Sequence, residues 1–388
     1  METIRELTIW HEFNGEGDTS IEVLEDICQS FSEQYGIGIK LEVMSIAQLG
    51  ESIKDIHETG EGPHMAFVPS DMSSYKKLGR YSIVRQELCN DIISEHILQS
   101  MQYEGEQVGV PIITGNHLVL FYNKDFYDMM PSSWEEIVAL DNKEKDQNII
   151  PIAVDLKQSY SFIPYLTSFS GWPMRDGRPD LDTQEMKAAL SFVQSQKEVG
   201  HLVSLDGATA LLGQFIEGKV GAIITGEWIF NYLERKMGKR LGVGNLPTIN
   251  GRISTSMSSS VGIVFPNQSL ASVCGQHIQQ FIRFMLNDEN QMKWADRVQR
   301  IPASSVVMEQ LKNKDNPNLQ MLINMLNTCI PIPVSPYMIA AWIGMDAGLS
   351  ELEHGQANEA HRMMVSTAVG IVEQIEQFLN EQKEEQIL

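Results

Sequence analysis

The stretch Ala222-Ile223-Ile224-Thr225-Gly226-Glu227-Trp228-Ile229-Phe230-Asn231 reads as a buried strand, a glycine turn and the first residues of a helix. Open α/β sheets bind their ligands at the carboxyl ends of strands, which is where this order places the flat ring of Trp228. Two readings of that ring stand side by side: a core tryptophan capping the sheet, or an exposed one facing a ligand.

Working outward, strand-like and helix-like segments alternate. Residues 7–10 form a first strand, followed by the polar, glycine-containing loop 11–18. Thr19 and Glu22 have capping-box spacing. Ile21, Leu24, Ile27, Cys28 and Phe31 then share one helical face. Residues 39–43 alternate as a second strand, and 65–68 make the continuous apolar run of a buried parallel strand. This order argues for βαβ units. Residues 108–112 and 118–122 are two more strands, separated by 113–117, and Ser133 with Glu136 is a second capping box. Residues 149–154 form a strand around Pro151, which the missing donor assigns in part to an edge. A helix covers 183–199, and strands follow at 242–246 and 261–265. Ile278, Phe281, Ile282 and Met285 mark an amphipathic helix, and Ile371, Ile375, Phe378 and Leu379 repeat the pattern near the C-terminus.

Composition bounds the function. At about 150 residues per domain, 388 residues suggest two or three domains. A formal charge of -22, with no basic run to grip phosphates, excludes nucleic acid as a partner. No segment approaches the length of about 18 apolar residues that a membrane span needs. Residues 1–6 lack the basic and apolar regions of a signal peptide, so either the protein is cytoplasmic or a signal has been removed. The four cysteines form no CxxC pair, and Cys28 falls on an apolar face as an inert core thiol; one or two disulfides stay open.

Catalytic and metal motifs fail when tested. His11-Glu12 would need a second histidine where Gly15 stands to make HExxH. The near phosphate loop at 213–220 has Val220 in place of the magnesium-binding Ser or Thr, and it precedes a strand. No nucleophile elbow and no dinucleotide fingerprint follow a strand. The histidines show no ligand spacing, so neither a metal nor a cofactor is expected. A glycosidase carboxylate pair cannot be read from an abundance of acids.

Aromatic residues remain. Tyr160 follows the polar Lys157-Gln158-Ser159, and Trp342 lies in 337–343, where helix packing is the simpler reading. Sugars present a face of C–H groups and a rim of hydroxyls, so a sugar site needs flat rings below and convergent amides or carboxylates around them.

At these residues the chain resembles the maltodextrin-binding type of extracellular solute-binding proteins (family 1), which serve ABC transporters. The resemblance runs over nearly the whole chain. It is carried by 7–10 with the Asn14-Gly15 loop, 59–63, Phe121-Tyr122-Asn123-Lys124-Asp125, Ser133-Trp134-Glu135-Glu136-Ile137, 224–228, 246–251 and 333–342. It implies an α/β, two-lobed periplasmic-binding-protein fold (type II), with three interlobe crossovers and a ligand cleft between the lobes. The lobes would comprise 1–112 with 263–314, and 113–262 with 315–388. By the same similarity Trp228, Trp342 and Tyr160 match stacking aromatics, Asp71 a sugar-binding aspartate, and Asn14 and Glu16 a polar ligand-reaching loop. Gln158 stands where a glutamate is usual, and Gly115 or Asn116 where another is. The chain departs from the family at Val68, in place of a tryptophan, and at Met72, in place of an arginine. Those departures imply binding mainly through the C-terminal lobe and a sugar other than maltose.

The expectation is therefore the substrate-binding component of an ABC sugar importer. It would be a monomer outside the cytoplasm with its signal removed, binding an oligosaccharide by hinge closure and presenting it to a membrane permease. It would not be an enzyme. A sugar-sensing receptor module and a carbohydrate-active enzyme are the rival readings.

Overall fold

The computed structural model describes residues 6–13, 15–89, 92–140 and 149–385, with side chains described up to residue 380. By its contacts the chain divides into two compact units. The first is Met1–His117, Glu227–Tyr232 and Ser258–Asn327; the second is Leu118–Gly226, Leu233–Met257 and Thr328–Leu388.

In the first unit, β1 (Glu6–His11), β2 (Gly38–Val43) and β3 (Met65–Pro69) are parallel, with β1 in the middle. The fully buried Met65-Ala66-Phe67-Val68 accounts for the unbroken apolar run, since a parallel strand is covered on both faces. Strands β4 (Gly109–Gly115), β10 (Met257–Val264) and β11 (Ile301–Pro302) add antiparallel pairs, giving the path β11-β4-β10-β3-β1-β2. Helix α1 (Ser20–Tyr35) buries Val23, Leu24, Ile27, Cys28 and Phe31. These join Ile278, Phe281, Ile282 and Trp294, from α6 (Gly275–Met285) and α7 (Asp288–Val298), in one core. Burying each such side chain contributes roughly 1.5–3 kcal/mol.

The second unit has a five-stranded sheet in the order β7-β6-β8-β5-β9. Its strands are β5 (Leu118–Asn123), β6 (Ile150–Val154), β7 (Leu202–Ser204), β8 (Val220–Gly226) and β9 (Leu241–Gly244). The first three in spatial order are parallel; β5 and β9 complete the sheet antiparallel. Helix α3 (Gln184–Glu198) falls within the 183–199 read from the sequence, and the Thr183 hydroxyl caps it by accepting from the Met186 amide.

Several local expectations are corrected. Strand β6 is central, not an edge. Its ladder with β7 begins at Ile152, one residue after Pro151, so the missing donor falls where that ladder has not started. Thr19 makes no capping bond. The Asp18 carboxylate takes the Ser20 amide instead (2.8 Å), and the Thr19 hydroxyl accepts from Asn231 Nδ2 at 2.8 Å. The Ser133 box is half formed: Ser133 accepts from the Glu136 amide, while the Glu136 carboxylate turns to the amide and hydroxyl of Ser132. The four cysteines are free thiols. Near the failed phosphate loop, helix α4 (Gly207–Ile216) ends before Gly218, whose φ of 76° suits glycine, and β8 follows.

The unit boundaries also differ from those read in the sequence. Strand β4 stays whole in the first unit instead of breaking at 112, and 315–327 groups with the first unit. The short segment Glu227–Tyr232 leaves the second unit's sheet and groups with the first. Trp228 is therefore not on the same unit as Tyr160 and Trp342.

Candidate functional site

The carboxyl end of β8 builds the centre of the first unit's candidate site. Gly226 closes the strand and Glu227–Ile229 forms a single 3-10 turn before helix α5 (Phe230–Met237). The Glu227 amide donates to the His117 carbonyl at 2.9 Å. Its side chain is 1% exposed, accepts from the Asn116 amide at 2.8 Å, and faces Arg300 Nε at 3.5 Å. Burying a carboxylate this deeply demands a partner, and Arg300, 2% exposed, supplies it. Arg300 also donates to the Ser20 hydroxyl at 3.2 Å and to Asn116 Oδ1 at 3.4 Å, and lies 3.8 Å from Asp18.

The electrostatics follow from this crowding. Burial raises the Glu227 carboxyl above its ordinary range, against the pull of Arg300 and the Asn116 amide. Burial, reinforced by the charges of Asp18 and Asp71, pushes the partly exposed Glu12 up to about 8 even though Arg300 opposes it. Burial and the same guanidinium lower His117 to about 4, leaving it neutral at pH 7. Arg300 thus acts on three carboxyls, Glu12, Asp18 and Glu227.

Of the residues the sequence points to, Asp71 is half-buried at the start of the 3-10 turn Ser70–Lys76 after β3. Asn116 is half-buried just past β4, with φ of 45°, and donates from its side chain to the Ser259 hydroxyl at 3.1 Å. Glu16 is exposed, and Trp228 half-buried. Asn14 lies outside the described residues. The two departures are both buried. Val68 is fully buried in β3, and Met72, 5% exposed, packs toward the backbone of helix α2 (Ile46–Thr59) at Gly50.

In the second unit the rings of Tyr160 and Trp342 lie 6.0 Å apart between centroids, tilted by 59°. Both are half-buried. The Tyr160 hydroxyl donates to the Met257 carbonyl at 2.9 Å, which fixes one edge of the ring. The loop before it is pinned from two sides. Asp155 accepts from the Lys157 amide at 3.0 Å and from Gln158 Nε2 at 2.9 Å, while Asp346 accepts from the Ser159 amide at 2.9 Å. Burial raises both aspartates. Gln158 itself is exposed. Trp342 and Asp346 are four residues apart on α9 (Met338–Glu351), so one helix face carries both the ring and the anchor of the Tyr160 loop.

Sequence reasoning missed Glu12, Asp18, Arg300, Asp155 and Asp346. Glu227 was in plain view beside Trp228. Nothing local marks Arg300, whose partners lie at positions 18, 20, 116 and 227. Among the described residues, no group of three or more His, Cys, Asp or Glu could hold a metal ion, and no helix is long and apolar enough to cross a membrane.

The fold comprises two α/β units, and polar and aromatic side chains stand beyond strand ends in each. A family model described as bacterial extracellular solute-binding protein matches residues 26–321. The chain belongs to that family. Among curated relatives, it is 20% identical over 384 residues to the maltodextrin-binding protein MdxE of Bacillus subtilis (strain 168), covering 92% of this chain and 88% of the relative. It is 21% identical over 371 residues to the galactooligosaccharide-binding protein of the same organism (91% and 86%). It is 23% identical over 362 residues to a maltooligosaccharide ABC transporter solute-binding lipoprotein of Streptococcus pneumoniae R6 (87% and 82%).

Proposed function

We propose that this protein binds an oligosaccharide outside the cytoplasm and presents it, chemically unchanged, to the membrane permease of an ABC transporter. The observation that carries this reading is the tilted Tyr160–Trp342 pair, with the Tyr160 hydroxyl tied to backbone and the loop before it anchored by Asp155 and Asp346. Half-exposed rings held this way offer flat area to a sugar's C–H face, with the Gln158 amide beside them for a hydroxyl. Relatives named for maltodextrin, galactooligosaccharide and maltooligosaccharide support the ligand class and differ over the sugar. Trp228, Asn116, Asp71 and Glu16 would supply contacts from the first unit.

The test is calorimetry with α- and β-linked oligosaccharides, followed by chromatography of the best binder after long incubation. Tight binding with the sugar recovered intact is expected. Many turnovers per protein would move the function to a carbohydrate-active enzyme. That reading has its own support in Glu12, a carboxyl held largely protonated at neutral pH as a general acid must be.

A further inference from the structure

The network around Arg300 joins backbone segments far apart in sequence. Helix α7 ends at Gln299, which adopts φ of 56°. A residue with a Cβ takes that left-handed conformation at a steric cost, so the turn is imposed by its surroundings. It delivers Arg300 to β11, whose antiparallel register with β4 pairs Ile301 with Thr114. That register sets Arg300 beside Gly115 and Asn116. Gly115 has φ of 105°, and a Cβ there would lie 3.2 Å from the Glu227 carboxylate, so the absent side chain leaves the space that Glu227 fills. Asn116 then bonds in three directions: its amide to Glu227, its Nδ2 to Ser259 and its Oδ1 to Arg300. Next to Glu227 stands Trp228, and Asn231 ties the same segment to Thr19.

We propose that Arg300 is the positioning residue of the first unit: bonded to Ser20 and Asn116 and set against Glu227, it fixes the two turns that aim Asn116 and Trp228 at the ligand. The proposal rests on the oligosaccharide-binding reading for what those two residues contact, but not for where they are held. Among the described residues, the buried Glu227 Oε2 and Arg300 Nε have no hydrogen-bond partner, and they approach each other to 3.5 Å. The pair therefore aligns the turns by charge as well as by the bonds either partner makes elsewhere. Lysine would keep the charge and lose the planar fork that reaches Ser20, Asn116 and Glu227 together.

Two variants separate positioning from stability. Arg300→Lys retains a buried cation. Arg300→Met with Glu227→Gln removes both charges of the closest pair, so that neither of those two partners is left as an uncompensated buried ion. Calorimetry with the best-binding oligosaccharide measures affinity. The emission of Trp228, taken as the difference between each protein and its Trp228→Phe version, measures placement. Both variants should bind about tenfold or more weakly and show a shifted Trp228 emission, while the double variant keeps a thermal midpoint close to that of the parent. Parent-like affinity with unchanged Trp228 emission in Arg300→Lys would overturn the proposal, and so would the same result in the double variant. A parent protein that binds no sugar would defeat the functional reading instead, and the Trp228 emission would still decide the role of Arg300.

Discussion

Glu12 makes the stability depend on pH between mildly acidic and mildly basic conditions. Its carboxyl moves from an ordinary value near 4.5 to about 8 because burial, reinforced by the charges of Asp18 and Asp71, outweighs the opposing pull of Arg300. A carboxyl whose folded value is raised contributes stability that is full below the unfolded value and is lost as pH climbs through the folded one. The window here is about pH 4.5 to 8. One pKa unit corresponds to about 1.4 kcal/mol, so Glu12→Gln, neutral throughout, should recover on the order of 2 kcal/mol or more at pH 9. It should change little at pH 4.5. Urea unfolding at the two pH values checks this, and parallel pH profiles for the two proteins would contradict it. The rings give a second residue-level expectation. Truncating a buried anchor aromatic commonly costs about 2 kcal/mol or more of binding, so Trp342→Ala should weaken the best oligosaccharide at least about tenfold with the fold retained. Normal binding would return Trp342 to the helix-packing role that its sequence context suggests. The acid cluster could not be read from the sequence, because charge proximity here depends on four chain segments meeting. The aromatic candidates could be, because each follows a local polar or glycine signal.

At the scale of elements, helix α9 owes its placement to two small residues. Gly344 and Gly348 are one turn apart and face helix α10 (Ala357–Glu385). A Cβ on Gly348 would come within 2.5 Å of the Ala360 carbonyl, and one on Gly344 within 2.8 Å of the Met364 carbonyl. Backbone cannot yield as a flexible side-chain tip can, so the helices would have to separate. The opposite face of α9 bears Trp342 and Asp346, and such a separation would carry both away from Tyr160 and Ser159. Gly348→Ala should therefore cost about 1–3 kcal/mol in urea unfolding, the usual cost of overpacking, and weaken sugar binding with it. A stability unchanged from the parent would show that α9 shifts freely. Strand and helix positions were largely legible because periodicity and apolar runs are local. Caps and edges were less so. The Thr19 hydroxyl is taken by Asn231, more than two hundred positions away, and Pro151 is tolerated in a central strand because its neighbouring ladder begins one residue later.

At the scale of the whole molecule, the division of the chain was legible only through family resemblance, since no linker or change in composition marks it. What the resemblance missed is the excursion Glu227–Tyr232, which is decided by the Glu227–Arg300 charge pair and the Asn231–Thr19 bond, neither visible as a motif. That excursion bears on binding. Candidate contacts reside on both units, with Trp228, Asn116 and Asp71 on the first and Tyr160, Trp342 and Gln158 on the second. A ligand favours whichever conformation lets it make more contacts, and shifts the population by no more than its difference in affinity for the two. If one sugar uses contacts from both units, saturation must favour a more compact state, as family resemblance implies. Small-angle scattering at a ligand concentration about 100 times the dissociation constant should then show a smaller radius of gyration, alongside roughly 2.7 kcal/mol of added stability. The added stability without any change in radius would mean that one unit binds the sugar by itself. In that case Trp342→Ala would abolish binding while Trp228→Ala left it intact, and calorimetry on the two variants would tell which unit holds the site.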